Sequence, residues 1–188
     1  KSTLIHYSTD ASAYREMPLA VALPKNKEDL IKLITFSKKY KIPLVPRAAG
    51  TSLAGQVVGH GIIVDISRYW RKIIEINTSA HWVRVDSGVI LDELNLVLKP
   101  HGLFFGPETS TSNRCMIAGM VGNNSCGSHS ILYGSTRDHT ISVKMILDDG
   151  IEYEFGPLSN DEFRIKTQLE GKEGDIYRFI QNKLSDNE

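Results

Sequence analysis

The apolar run Ile42-Pro43-Leu44-Val45 leads straight into Pro46-Arg47-Ala48-Ala49-Gly50-Thr51-Ser52-Leu53-Ala54-Gly55-Gln56. A short strand that empties into small residues leaves backbone N–H groups uncovered, and a ring of uncovered N–H donors is an anion site. Ala48, Ala49 and Gly50 put no bulk between main chain and ligand, Thr51 and Ser52 add hydroxyl donors, and Arg47 can balance negative charge. The expected ligand is a phosphate or pyrophosphate. Taken alone, the same residues serve equally well as a strand-to-loop turn. A Walker loop needs a Lys before its Ser/Thr, which Gly50-Thr51-Ser52-Leu53 lacks, and Gly50, Gly55 and Gly59 miss the G-x-G-x-x-G spacing. Gly50→Val is expected to fill the space the anion approaches while leaving the fold near intact.

Upstream, Leu19-Ala20-Val21-Ala22-Leu23-Pro24 reads as a buried strand. Asn26 then caps a helix with Glu28 and Asp29 in its first turn, Leu30, Leu33, Ile34 and Ser37 on one face, and Lys38, Lys39 and Lys41 near its end, where Pro43 blocks continuation. Strand, helix and strand make a βαβ unit whose second strand ends at the small-residue loop, the end where open α/β sheets place ligands. Downstream, Ile62-Ile63-Val64-Asp65-Ile66 reads as a buried strand and Arg68-Tyr69-Trp70-Arg71-Lys72 as a partly exposed turn. Ile73–Ile76 and Trp82–Asp86 are expected to pair antiparallel, and Asp92 to Lys99 to form a helix with Leu94, Val97 and Leu98 inward, stopped at Gly102.

A second loop fills most of Phe105 to Gly134. It carries Gly106-Pro107-Glu108-Thr109-Ser110-Thr111-Ser112 and, after Arg114-Cys115-Met116-Ile117, the run Ala118-Gly119-Met120-Val121-Gly122-Asn123-Asn124-Ser125-Cys126-Gly127-Ser128. Asn123 and Asn124 can donate and accept toward a heteroaromatic edge or a diphosphate, and Gly119, Gly122 and Gly127 allow close backbone approach. An irregular connection held by Asx-turns is the alternative. Ile141–Leu147, Asp148-Asp149-Gly150 and Ile151–Phe155 read as a hairpin with an Asp-Gly turn, and residues near Phe163 and Tyr177 as helical pieces. The polar end Asn182–Glu188 suggests part of a longer protein.

With 188 residues and 41% hydrophobic content, the chain is long enough to bury a core. Lys+Arg 22 against Asp+Glu 22 leaves no global field for nucleic acid or anionic lipid. Apolar runs fall far short of the roughly 20 residues that span a bilayer. With no signal-peptide pattern at its start, a cytoplasmic location is expected. Cys115 and Cys126 are too few for a disulfide framework or a four-thiolate site and are expected as thiols. His129 and His139 lack metal-ligand spacing, and Ser52 and Ser125 are not flanked as nucleophiles.

Two small-residue loops in a chain that passes from a βαβ unit to antiparallel strands resemble the PCMH-type FAD-binding domain of the vanillyl-alcohol oxidase superfamily. The resemblance runs from about Pro18 to Phe155. It rests on Pro46 to Gln56, Gly106-Pro107-Glu108, Met116 to Gly127, Tyr133-Gly134-Ser135-Thr136-Arg137-Asp138-His139 and Leu147-Asp148-Asp149-Gly150. Within the superfamily the chain is most similar to the D-lactate, glycolate and 2-hydroxyglutarate dehydrogenases. The implied fold is α+β, with a lead-in over 1–17, a βαβ subdomain over 18–68, and a mainly antiparallel second subdomain over 69–188 cut before a substrate cap. The resemblance implies that Pro46, Arg47, Ala48, Ala49, Gly50, Thr51, Ser52 and Gln56 bind the FAD pyrophosphate. It further implies that Pro107, Glu108, Thr109, Ser112, Ile117, Ala118, Gly119, Gly122, Asn123, Asn124, Ser125 and Gly127 line the ADP and flavin. Thr51 stands where covalently flavinylated members carry His, so a noncovalent FAD is implied, with Cys115 a structural thiol. The implied partners are a small 2-hydroxy acid and an unspecified electron acceptor, and catalytic residues and any iron–sulfur cluster would lie beyond this chain. A redox-free nucleotide- or diphosphate-binding module is the alternative.

Overall fold

In the computed structural model, residues 2–186 are described. The chain divides into two units, residues 1–140 and 141–188. The first opens with α1 (Ser2–His6), β1 (Ala20–Ala22), α2 (Lys27–Tyr40), β2 (Leu44–Arg47) and β3 (Ile62–Asp65). Asn26 caps α2, its Oδ1 accepting from the Asp29 N–H at 2.9 Å. Lys41, in the left-handed region at φ 53°, closes the helix ahead of Pro43.

The three strands form one parallel sheet in the order β1-β3-β2. The βαβ unit is present, with β3 inserted between its two strands. All four residues of β3 are buried, as a central strand covered on both faces requires. β1 is an edge strand and is less buried than its composition suggests, with Leu19 48% and Leu23 36% exposed at its ends. β2 and β3 are parallel neighbours, and such a pair cannot be joined by a tight turn; a crossover of about a dozen residues or more is needed. Here that crossover is the small-residue loop itself.

β4 (Ile73–Asn77) and β5 (Trp82–Val85) pair antiparallel with a bulge between Ile73 and Glu75. α3 (Leu91–Leu98) lies against them: Val89, Leu94 and Leu98 pack on Ile73, Ile76, Val83 and Val85, while Leu91 joins Cys115 and Met120. Val97, expected inward, is 41% exposed. Leu91, Leu94 and Leu98 define the buried stripe, and Val97 sits about 100° around the helix from Leu98. The expected second loop is partly helical, forming α4 (Ile117–Asn123) and α5 (Ser130–Tyr133), followed by a 3₁₀ turn over Thr136–His139.

The second unit holds the hairpin of β6 (Val143–Ile146) and β7 (Glu152–Phe155). The Gly150 N–H bonds to Leu147 O at 2.9 Å and Gly150 takes φ 80°, which is why the Asp-Gly pair was legible. α6 (Asn160–Thr167), with a Ser159/Glu162 capping box, and α7 (Lys172–Ser185) follow. Tyr177 is buried, with Phe163 and Phe155 ring centroids 5.6 and 6.3 Å away. α7 absorbs residues 182–185 of the expected polar end; 187 and 188 lie outside the described residues. Among the described residues, no helix is long and apolar enough to cross a membrane.

The lead-in is tied to the parallel sheet. Ser8 is fully buried, and its carbonyl accepts from the Glu16 N–H at 2.9 Å. The Tyr7 hydroxyl donates to Asp65 Oδ2 at 2.5 Å, and the Ser67 N–H donates to Asp65 Oδ1 at 2.7 Å, so the buried carboxylate at the end of β3 is satisfied. Burial first, then the Asp65 hydrogen bond, pushes the Tyr7 phenol up to about 12. The fold thus favours the protonated phenol, and its contribution is complete below the ordinary value of 10.0 and lost as pH rises toward about 12.

Leu94→Ala is expected to cost about 2–5 kcal/mol in urea unfolding, while Val97→Ala on the exposed side should stay within about 0.5 kcal/mol of wild type. The stability gap between wild type and Tyr7→Phe should be full below pH 10.0 and close by about pH 12, as read from unfolding midpoints across that range.

Candidate functional site

The crossover from β2 to β3 turns first at Gly50, with φ 69°, and again at Gly55, with φ 73°. Among the described residues, the main-chain N–H groups from Ala49 to Leu53 have no acceptor. Donors left unpaired in succession are the feature an anion fills. Pro46 and Arg47 belong to β2 rather than to the loop. The Arg47 guanidinium lies flush under the turn: a Cβ on Gly50 would sit 2.5 Å from Nη2 and 2.9 Å from Cζ. This corrects the expectation for Gly50→Val, because the space it would fill is held by Arg47 and its positive φ is strained for any side chain. Loop geometry and ligand access would change together.

The two loops meet. Gln56 Nε2 donates to Asn123 Oδ1 at 3.1 Å, and a Cβ on Gly119 would stand 3.5 Å from the Ala48 Cβ. α4 therefore lies beside the crossover, with Gly119 as the point of close approach. Among the described residues Thr51 is unspent, while Ser52 Oγ accepts only the long 3.4 Å bond from the Ala54 N–H.

The remaining candidates largely build the second loop. Pro107 is fully buried. Thr109 Oγ1 shares hydrogen bonds with Thr111 and Cys115, and Ser112 O accepts from the Asp92 N–H at 3.1 Å. The Ile117 and Ala118 N–H groups, the first of α4, are taken by Val89 O and Ser87 O at 2.9 and 3.0 Å. Asn124, left-handed at φ 44°, ends α4, and its Oδ1 accepts from the Arg137 N–H at 2.9 Å. Ser125 O accepts from both the N–H and the hydroxyl of buried Thr136. A Cβ on Gly127 would collide with the Glu108 carbonyl, whereas one on Gly122 would meet nothing.

Glu108 Oε1 accepts from Ser128 Oγ at 2.9 Å and lies 2.5 Å from His129 Nδ1. The Ser128 hydroxyl, then His129, hold its carboxyl below the usual range. That tie is present above the ordinary carboxylate range and lost as pH falls through the lowered value. Cys115 is buried and Cys126 exposed.

Sequence reasoning missed the lead-in. The Ala11 N–H donates to Gly50 O at 3.1 Å, and the Tyr14 ring packs so closely on Gly55 that a Cβ there would sit 2.7 Å from it. Tyr7 and Asp65 complete the support. Asp65 was detectable, since an acid closing an otherwise apolar strand is a buried charge that demands partners; nothing local marked Tyr7.

Residues 18–156 match the family described as the FAD binding domain. The chain is 38% identical over 177 residues to the D-2-hydroxyglutarate dehydrogenase of Pseudomonas putida, covering 93% of this chain and 18% of that protein. It is 44% identical over 154 residues to the Escherichia coli protein of the same name, covering 80% and 15%. The glycolate oxidase subunit GlcD of Bacillus subtilis is 32% identical over 146 residues, covering 77% and 31%. The chain thus spans less than a fifth of the length of these two dehydrogenases. Among solved structures, the Physcomitrella patens BBE-like 1 protein gives a TM-score of 0.71 at 20% identity, covering 89% of this chain and 36% of that one. Alkyldihydroxyacetonephosphate synthase gives 0.65 at 19% identity, covering 74% and 26%. These likenesses establish the PCMH-type fold. Because the matched segment holds both loops and the sheets that carry them, the chain belongs to the FAD-binding domain family, and its cofactor is FAD.

Proposed function

We propose that this chain is the FAD-holding part of a flavin-dependent dehydrogenase that oxidises a 2-hydroxy acid such as D-lactate, glycolate or 2-hydroxyglutarate. The observation that carries the site assignment is the succession of N–H groups from Ala49 to Leu53 unpaired among the described residues, with the Arg47 guanidinium against Gly50 and Gly119 of α4 beside neighbouring Ala48. The substrate class follows the names of the relatives, which weigh against a redox-free diphosphate module. Residues 18–68 would carry the pyrophosphate half and residues 69–188 the remainder, in a cytoplasmic, nucleotide-binding protein.

FAD, when bound, supplies the two-electron acceptor for the hydrogen removed from the carbinol carbon. The chain's own contribution is to hold and orient. The Ala49 to Leu53 amides and Arg47 bind the diphosphate, Thr51 and Ser52 add hydroxyl donors, and the Gln56–Asn123 bond fixes the crossover against α4. Thr51 offers no ring nitrogen for attachment, so the cofactor is held without a covalent bond. Catalytic side chains, and any iron–sulfur cluster, belong to the rest of the full-length protein.

After incubation with FAD and desalting, the protein should retain a flavin absorption band, and FAD at 100 times its dissociation constant should add about 2.7 kcal/mol of stability. Gly119→Val, which pushes side-chain bulk toward Ala48, should lose the band. A wild-type protein with no flavin band, alone or at full length, would overturn the assignment. In the full-length protein, D-2-hydroxyglutarate, D-lactate or glycolate added without oxygen should bleach the flavin; no bleaching by any of the three would remove the substrate class.

A further inference from the structure

Arg47 and Asp65 are register partners on β2 and β3. Paired residues of neighbouring parallel strands stand on one face about 4.8 Å apart, a placement in which a guanidinium and a carboxylate ordinarily form an ion pair. Here they do not. Both Asp65 oxygens are engaged elsewhere, by the Tyr7 hydroxyl at 2.5 Å and the Ser67 N–H at 2.7 Å. The Arg47 guanidinium instead stacks over the Tyr7 ring, 5.3 Å from its centroid, and lies against the Gly50 turn. Among the described residues its hydrogen bonding is limited to a long 3.4 Å contact with Val57 O, out of five available N–H donors. Tyr7 is thus the side chain that stands between two opposite charges the sheet has set side by side.

We propose that Tyr7 is a positioning residue for the cofactor: by occupying Asp65 with its hydroxyl and carrying the guanidinium on its ring, it keeps the Arg47 charge unpaired and directed at the diphosphate. The role rests on the reading of the crossover as the diphosphate site. Tyr7 lies outside residues 18–156, the segment that matches the family. Its phenol, pushed up to about 12, remains a proton donor to Asp65 throughout the physiological range.

The test is FAD titration of the purified protein, followed by flavin fluorescence at several salt concentrations, on wild type, Tyr7→Phe, Asp65→Asn and the double variant. Wild type should bind with an affinity that falls as salt rises, because an unpaired cation attracts the diphosphate. Tyr7→Phe keeps the ring but frees Asp65 to take Arg47, so affinity should drop about tenfold and its salt dependence should flatten. Adding Asp65→Asn to Tyr7→Phe removes the competing charge and should restore both, which repair of a merely structural defect would not do. Wild-type affinity and salt dependence in Tyr7→Phe would overturn the inference while leaving the diphosphate site standing. Absence of FAD binding in wild type would remove that site and the inference together. Should Tyr7→Phe fail to fold, Asp65→Asn alone decides: affinity at or above wild type supports the role, and a loss overturns it.

Discussion

Parallel pairing of β2 with β3 is the constraint from which the rest of the first unit follows. Antiparallel neighbours can be closed by two residues, but parallel neighbours must return the chain to the same end of the sheet. Most α/β proteins make that return with a helix, which satisfies its own backbone. This chain makes it with an irregular segment, and the amides from Ala49 to Leu53 are left without partners among the described residues as a direct result. The central position of β3 also buries Asp65 at the strand's end, beside the same crossover. Topology thus places a run of amides unpaired among the described residues next to a buried acid, with the Tyr7 hydroxyl donating to that acid and the Arg47 guanidinium lying against the Gly50 turn.

The second loop divides the labour differently. Its polar groups are mostly spent on its own construction: Asn124 on Arg137, Ser125 on Thr136, and Glu108 on Ser128 and His129. The first N–H groups of α4 are taken by Ser87 and Val89, so the helix end is fastened to the turn before α3 instead of being offered to a ligand. What α4 presents to the crossover is shape, through Gly119 and the amide of Asn123. One loop keeps its amides unpaired among the described residues, while the other spends its polar groups on itself.

Features governed by neighbours in sequence were legible: the Asn26 cap, the Asp-Gly hairpin, the β4–β5 pair and the small-residue crossover all follow local chemistry. Features governed by strand order were not. The exposure of β1 depends on β3 entering the sheet between β1 and β2, which the composition of Leu19–Pro24 does not announce. α4 is rich in glycine and poor in helix formers, and it is held by hydrogen bonds that its first N–H groups donate to the Ser87 and Val89 carbonyls, which no periodicity reveals. The spacing of Leu94, Val97 and Leu98 is that of one helix face, but the buried stripe of α3 runs through Leu91, Leu94 and Leu98 and leaves Val97 at its edge. Tyr7 is 58 positions from the carboxylate it serves, and only the folded chain joins them.

The unpaired amides of the crossover also make occupancy readable without colour. Backbone hydrogens that lack an acceptor exchange with solvent at rates near those of an open chain, whereas those in the buried β3 ladder exchange only when the sheet itself opens. A diphosphate seated on the crossover would slow the residues from Ala49 to Leu53 and leave the ladder unchanged. Five consecutive positions would then report filling of the site in place, separately from the optical properties of whatever nucleotide is attached.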